Sequence, residues 1–237
     1  MRDGVIITRP PPGLAPTMAA VAALGWRPIA APMLEVIPLG LASVGRQPDA
    51  VVLTSGQAIA ALDDPRLHAC PCYVVGQATA RRARAAGFVH VITASGTAAD
   101  LVDMLREACP AGSRLLLAVG RGYGRDMADE LRGAGLRVTR RCVYAVEAVR
   151  GLPDAAVTAL LAEQVRGVMF YSTRTAEAFM AALTPVVADT LARVDAIAMS
   201  AGIAAALADG PRWRAMRVAA RPEQDAMLAS LGRPASG

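Results

Sequence analysis

Two halves of this chain carry the same succession of short apolar runs and turns, so whatever sheet one half forms, the other must form again. Val51-Val52-Leu53-Thr54-Ser55, followed by a helical segment through Leu62, matches Val168-Met169-Phe170-Tyr171-Ser172, followed by a helical segment through Phe179. The next strand and turn repeat as well, Tyr73 to Ala80 against Ile197 to Ala204. The remaining pieces pair too: Val5 to Arg9, a helix, Leu24-Gly25 and a strand resemble Leu115 to Arg121, a helix, Ala134-Gly135 and a strand. The order of these pieces matters. The first piece of one copy stands at the N-terminus and its remainder at the C-terminus, which reads as one α/β domain inserted into another. This places an outer domain at 1–37 and 148–237 and an inserted domain at 38–147, with the crossings Pro32 to Pro38 and Arg141 to Val149 forming a two-stranded linker.

The strand candidates are Val5-Ile6-Ile7, Val51-Val52-Leu53, Tyr73-Val74-Val75, Val89 to Ile92, Leu115-Leu116-Leu117, Val168-Met169-Phe170 and Ala196-Ile197-Ala198. Their hydrophobicity is continuous rather than alternating, as in strands covered on both faces, and they alternate with alanine-rich helical segments. The expected fold is therefore α/β: two similar doubly wound parallel-sheet (flavodoxin-like) domains joined by a two-stranded linker. The alternative is a single continuous doubly wound sheet.

Charge narrows the chemistry. Of 237 residues, 25 are basic and 20 acidic, for a net +5, and every basic residue is arginine. Without lysine there is no Schiff base, no pyridoxal phosphate attachment and no P-loop amine. The only histidines, His68 and His90, cannot supply a three-histidine zinc site, and Cys70, Cys72, Cys109 and Cys142 have no CxxC spacing, so no metal is expected. The cysteines read as reduced thiols in a cytoplasmic protein. No signal-peptide pattern opens the chain and no apolar run of about 18 residues occurs, so no membrane association is expected. Aromatics are only 4% of the chain, against a flavin sandwich.

In a parallel sheet, ligands bind beyond the carboxyl ends of the strands, where helix N-termini offer free N–H groups. The corresponding turns carry Thr8-Arg9, Thr54-Ser55, Gly76 to Thr79, Gly120-Arg121 with Arg125, Ser172-Thr173-Arg174 and Ser200. Small hydroxyls, glycines and arginines suit anions, although any single Ser or Thr there also reads as an ordinary helix cap. Gly120-Arg121-Gly122-Tyr123-Gly124-Arg125 fails the dinucleotide pattern, which needs glycine where Arg125 stands. Arg81, Arg82 and Arg84 lack interleaved aromatics and read as a solvated face, so no nucleic acid is expected. No GxSxG elbow supports a serine nucleophile. What remains is a two-lobed protein whose turns face a cleft and whose chemistry rests on positioning and electrostatics.

Val5-Ile6-Ile7-Thr8-Arg9-Pro10, Leu24-Gly25, Pro32-Met33-Leu34-Glu35-Val36, Leu53-Thr54-Ser55 with Ala58, Val75 to Ala80, Gly124-Arg125, Val143-Tyr144 and Phe170-Tyr171-Ser172 together resemble the uroporphyrinogen-III synthase family, in order and over nearly the whole chain. The resemblance implies two α/β domains on a two-stranded linker. It also implies a cofactor-independent monomer that cyclises hydroxymethylbilane, a linear tetrapyrrole polycarboxylate, with inversion of ring D and loss of water. It further implies that Tyr144 is an acid in the cleft at the linker, and that Arg9, Ser55, Gly76, Thr79, Arg125, Ser172 and Ser200 bind substrate. Ile203 stands where many members have threonine, which puts one hydroxyl contact in doubt and leaves Ser200 to substitute. A competing expectation is a non-catalytic two-lobed protein or regulator that binds an anionic tetrapyrrole. A further one is a flavodoxin-like or sugar-phosphate-binding α/β protein.

Overall fold

The structure, a computed structural model, describes residues 3–42 and 44–234. Its packing divides the chain into two compact units, Met1–Glu35 with Glu147–Gly237, and Val36–Val146. The first unit opens with β1 (Gly4–Ile7), α1 (Leu14–Ala23) and β2 (Arg27–Ala30), and β3 (Leu34–Pro38) leads out of it. The second contains β4 (Ala50–Leu53), a 3-10 helix (Gly56–Ala61), α2 (Pro65–His68), β5 (Cys72–Val75), α3 (Gln77–Ala85), β6 (Val91–Ala94), α4 (Ala98–Ala108), β7 (Arg114–Gly120), α5 (Arg125–Gly133) and β8 (Arg137–Ala148), whose end leads back. The first unit is completed by α6 (Asp154–Leu161), β9 (Val165–Phe170), α7 (Thr173–Ala181), α8 (Pro185–Thr190), β10 (Asp195–Ala198), α9 (Ala201–Ala208), β11 (Ala215–Val218) and α10 (Gln224–Leu231).

There are two sheets, not one continuous sheet. The first runs β11-β10-β9-β1-β2 and the second β3-β8-β7-β4-β5-β6. Numbered within its own unit, the first sheet has the order 2-1-3-4-5, the flavodoxin-like doubly wound arrangement. The second has the same order if its count starts at β7, so it is a circular permutation of the first, with β3 added outside β8. Within each order of five, every pairing described is parallel. The added strand runs the other way: Leu39 N–H donates to Val143 O (3.0 Å) and Val149 N–H to Met33 O (3.1 Å).

The apolar runs become strands because both faces of each sheet are covered, so β1, β4 and β10 are buried at every residue. Alternate residues serve opposite layers. In the second unit Val51 and Leu53 pack with Ala80, Ala83 and Phe88, whereas Ala50 and Val52 pack with Leu101, Leu105 and Leu131. In the first, Val5 and Ile7 pack with Val21 and Met227. Phe170 meets Phe179 and Trp213 edge-on at 5.2 and 5.8 Å.

Two expected elements differ. The strand expected at Val89 to Ile92 begins at Val91, because Gly87 (φ +99°) turns the chain, Phe88 enters the core, and Val89, 70% exposed, spends its N–H on His68 O. The helix expected after Ser55 is a 3-10 helix of six residues, closed by i to i+3 bonds such as Leu62 N–H to Ile59 O (2.9 Å). The turn at Asp63-Asp64-Pro65 follows too soon for a full α-helix.

Candidate active site

In each unit two adjacent central strands send their following helices to opposite faces, which opens a crevice at their carboxyl ends. In the first unit the strands are β1 and β9. Thr8, fully buried, ties their ends together by donating its Oγ1 proton to Met169 O (2.7 Å). Beyond it the backbone delivers Arg9 from one strand and Tyr171 and Ser172 from the other. These line a cavity of about 420 Å³ together with Gly13, Leu34 and Thr175.

Arg9 is half-buried and its surroundings are polar but uncharged. Its Nη1 donates to Thr17 Oγ1 and Gln224 Oε1, each at 3.2 Å, and its Cζ lies 4.4 Å from the centre of the Tyr171 ring. Among the described residues no carboxylate pairs with it, so the cation is partly desolvated and left uncompensated, the state that favours an incoming anion. Burial pushes the Tyr171 phenol above the usual tyrosine range, while bonds from Thr17 and the charge of Arg9 pull it back. The contrast within the same sheet is Asp195, 3% exposed at the opposite, amino end of β10. It receives Nε–H bonds from Arg214 (2.7 Å) and Arg217 (3.0 Å). Arg166 Nη1 lies 2.9 Å from the same carboxylate without hydrogen-bond alignment. Those three arginines share one buried carboxylate and serve the fold.

In the second unit the corresponding strands are β7 and β4. Ser55 follows β4 by two residues and caps the 3-10 helix, its Oγ accepting from Gln57 N–H (3.3 Å). At the end of β7 the ladder with β8 slips by one residue, which brings Tyr144 opposite Gly120. A Cβ on Gly120 would sit 2.8 Å from Cε2 and Cζ of Tyr144, so the ring lies against the bare glycine backbone. Tyr144 is 8% exposed, and its hydroxyl has no hydrogen-bond partner among the described residues. Its carbonyl accepts from Arg121 N–H (2.8 Å).

The remaining expected residues sit at helix starts and do not share these crevices equally. Ser172 and Thr175 cap α7 reciprocally, and Ser200 caps α9 through Ile203 N–H (3.4 Å). The doubtful position 203 therefore carries a buried isoleucine whose amide, not side chain, meets the cap. Gly76 starts α3 at φ +74° with no side-chain cap, leaving the first N–H groups of that helix unpaired by side chains. Nothing lies within 4 Å of a Cβ built there, so backbone conformation rather than space requires the glycine. Thr79, in the first turn of α3, is buried, and Arg125, first residue of α5, is exposed.

Sequence reasoning missed Thr17 and Gln224. Thr17 is hidden as a helix residue and Gln224 stands 215 residues from Arg9, so no local pattern joins them. It also missed that Gly120 and Tyr144 form one pair. The other candidate groups take structural roles. His68 Nε2 lies 2.9 Å from Leu62 O and its ring lies tilted against Phe88, centroids 4.6 Å apart. Burial pushes the Cys72 thiol up to about 12. Cys70 bonds Pro48 O and Arg66 O, both at 3.3 Å. Among the described residues no cluster of His, Cys, Asp or Glu could hold a metal, and no helix is long and apolar enough to cross a membrane.

Comparison with known proteins adds an independent line. Residues 16–229 match the model of the family described as uroporphyrinogen-III synthase HemD. The chain superposes on the crystal structure of uroporphyrinogen-III synthetase from Helicobacter pylori with a TM-score of 0.59 at 16% identity, covering 97% of each chain, a likeness of fold. A mutant uroporphyrinogen III synthase from Thermus thermophilus matches at 20% identity and a TM-score of 0.46, covering 95% of this chain and 96% of that one. No curated protein matches.

Proposed function

The chain belongs to the uroporphyrinogen-III synthase family, and on that premise we propose that it closes hydroxymethylbilane into uroporphyrinogen III, with inversion of ring D and loss of water. The observation that carries this reading is Arg9, a half-buried guanidinium at the crevice of a doubly wound sheet with no acidic partner among the described residues. The substrate bears an acetate and a propionate on every pyrrole, and a cation of this kind gains most from such a carboxylate.

In this reading Tyr144 donates its phenolic proton to the departing hydroxyl of ring A, the carbon–oxygen bond breaks and water leaves. The resulting azafulvene is attacked by the substituted carbon of ring D, giving a spiro intermediate that rearranges to the inverted macrocycle, and the proton released as the last pyrrole regains aromaticity returns to the Tyr144 phenolate. Closure without inversion needs no protein, so the work of the site is orientation. Arg9, Arg125 and the uncapped helix start after Gly76 hold carboxylates. Ser55 and Ser200 accept cap bonds and keep a hydroxyl proton to donate, Ser172 acts through its position beside Arg9, and Thr79 braces the start of α3. The reading is of a cytoplasmic monomer acting on a diffusible substrate, without nucleic acid or membrane.

The test is to supply enzymatically generated hydroxymethylbilane, oxidise the products and separate the uroporphyrin isomers. Isomer III in excess is expected. Isomer I alone, formed at the spontaneous rate, would return the protein to a non-catalytic binder.

A further inference from the structure

Arg9 is gripped from behind by residues outside the cavity. The two protons of Nη1 meet two acceptors, Thr17 Oγ1 and Gln224 Oε1, each 3.2 Å away. Thr17 donates its own proton to Gly13 O (2.9 Å), and its Oγ1 lies 3.3 Å from Gln224 Oε1. Gln224 is the first residue of α10. Its Nε2 is buried and has no hydrogen-bond partner, an arrangement that costs about 1–3 kcal/mol. The carboxamide is therefore satisfied only through its oxygen, which faces Arg9 and Thr17.

An amide oxygen holds a guanidinium without discharging it. A carboxylate in that place would pair with Arg9 and cancel the charge that the cavity presents. The hydrogen bonds of the guanidinium are made by Nη1 alone, and its opposite edge lies beside Gly13. Nε and Nη2 have no acceptor among the described residues, and a Cβ on Gly13 would collide with Nε, Cζ and Nη2. Two parallel N–H groups on that edge match the two oxygens of a carboxylate.

We propose that Gln224 is a positioning residue: with Thr17 it fixes Arg9 so that the Nε–Nη2 edge, kept clear by Gly13, meets a substrate carboxylate side-on while the guanidinium stays charged. This rests on the synthase reading above.

The experiment compares kcat and KM for hydroxymethylbilane, with melting temperature, in the whole protein and its Gln224→Glu and Gly13→Ala variants. Gln224→Glu is expected to raise KM about tenfold, the loss of one charge-assisted contact, with kcat within about twofold. It should melt no lower than the parent, because an ion pair replaces a neutral bond. Gly13 has φ −75°, ordinary for alanine, so Gly13→Ala should fold normally and raise KM about threefold by pressing on the guanidinium. In an Arg9→Ala background, Gln224→Glu should leave KM where Arg9→Ala alone put it, since its action runs through Arg9. An unchanged KM in Gln224→Glu, or an undiminished effect without Arg9, overturns the proposal. If Gln224→Glu fails to fold, Gly13→Ala decides, and an unchanged KM there overturns it. A parent protein that forms only isomer I overturns the synthase reading and this inference together, whereas isomer III with unmoved KM values overturns this inference alone.

Discussion

At the end of β1 the chain places a buried threonine whose hydroxyl ties two strands, then an arginine held by Thr17, Gln224 and Tyr171. At the end of β7, the equivalent strand of the other unit, it places Gly120, and the missing side chain is replaced by the ring of Tyr144. The sheets around these positions have the same strand order, one a permutation of the other. A duplicated scaffold thus offers two crevices, and single residues decide what each contains. Thr8 ties two strand ends through its hydroxyl, and the next residue is the cation Arg9. Gly120 leaves bare backbone, and the phenol ring of Tyr144 lies against it. The helix starts diverge in the same way: Ser200 caps α9, while its counterpart Gly76 leaves α3 uncapped.

Substitutions that interchange these features test the comparison. Gly120→Val should have the largest effect, because a Cβ at that position already falls 2.8 Å from the Tyr144 ring. A loss of about 2–3 kcal/mol in chemical denaturation and a roughly tenfold lower kcat are expected. The same stability as the parent would show that the Tyr144 ring is free to move. Gly76→Ala should cost about 1 kcal/mol in the same measurement, through positive φ alone, since space is available. Ser200→Ala should cost a comparable or smaller amount, about 0.5–1 kcal/mol, by uncapping α9. If Gly76→Ala were stabilising instead, the uncapped start of α3 would not be built on that glycine.

The smallest effect is a pH dependence. The Tyr171 phenol is raised by burial, so the folded state holds its proton at pH values where the unfolded chain releases it. Its contribution is fully present below the ordinary tyrosine range and is lost as pH rises through the raised folded value. Denaturation midpoints should therefore fall on the alkaline side, and less so in Tyr171→Phe. Equal alkaline losses in both proteins would remove Tyr171 from this account.

The repeat made most of the fold readable. Two copies of the same strand-and-turn succession, one split across the termini, are a direct trace of two similar sheets, and the continuous apolar runs announced strands covered on both faces. Boundaries were less readable where a turn overrides the pattern, as at Gly87, which sends Phe88 into the core and Val89 out. The site was legible only where its residues sit beside strand ends. Arg9, Ser55 and Ser172 could be found that way. Gln224 could not, because the contact that gives it meaning is made across the sheet by a helix with no local signal. Gly120 and Tyr144 were each visible alone, but the one-residue slip between β7 and β8 that brings them together has no signature in composition or periodicity.

In the proposed reaction Arg9 holds a substrate carboxylate and Tyr144 donates a proton. The most direct measurement is steady-state kinetics of Arg9→Ala and Tyr144→Phe side by side with hydroxymethylbilane. Arg9→Ala is expected to raise KM about tenfold or more with kcat little changed, and Tyr144→Phe to lower kcat about a hundredfold with KM little changed. If both variants moved the same constant by similar factors, or if Tyr144→Phe turned over as the parent does, the division of labour would be contradicted.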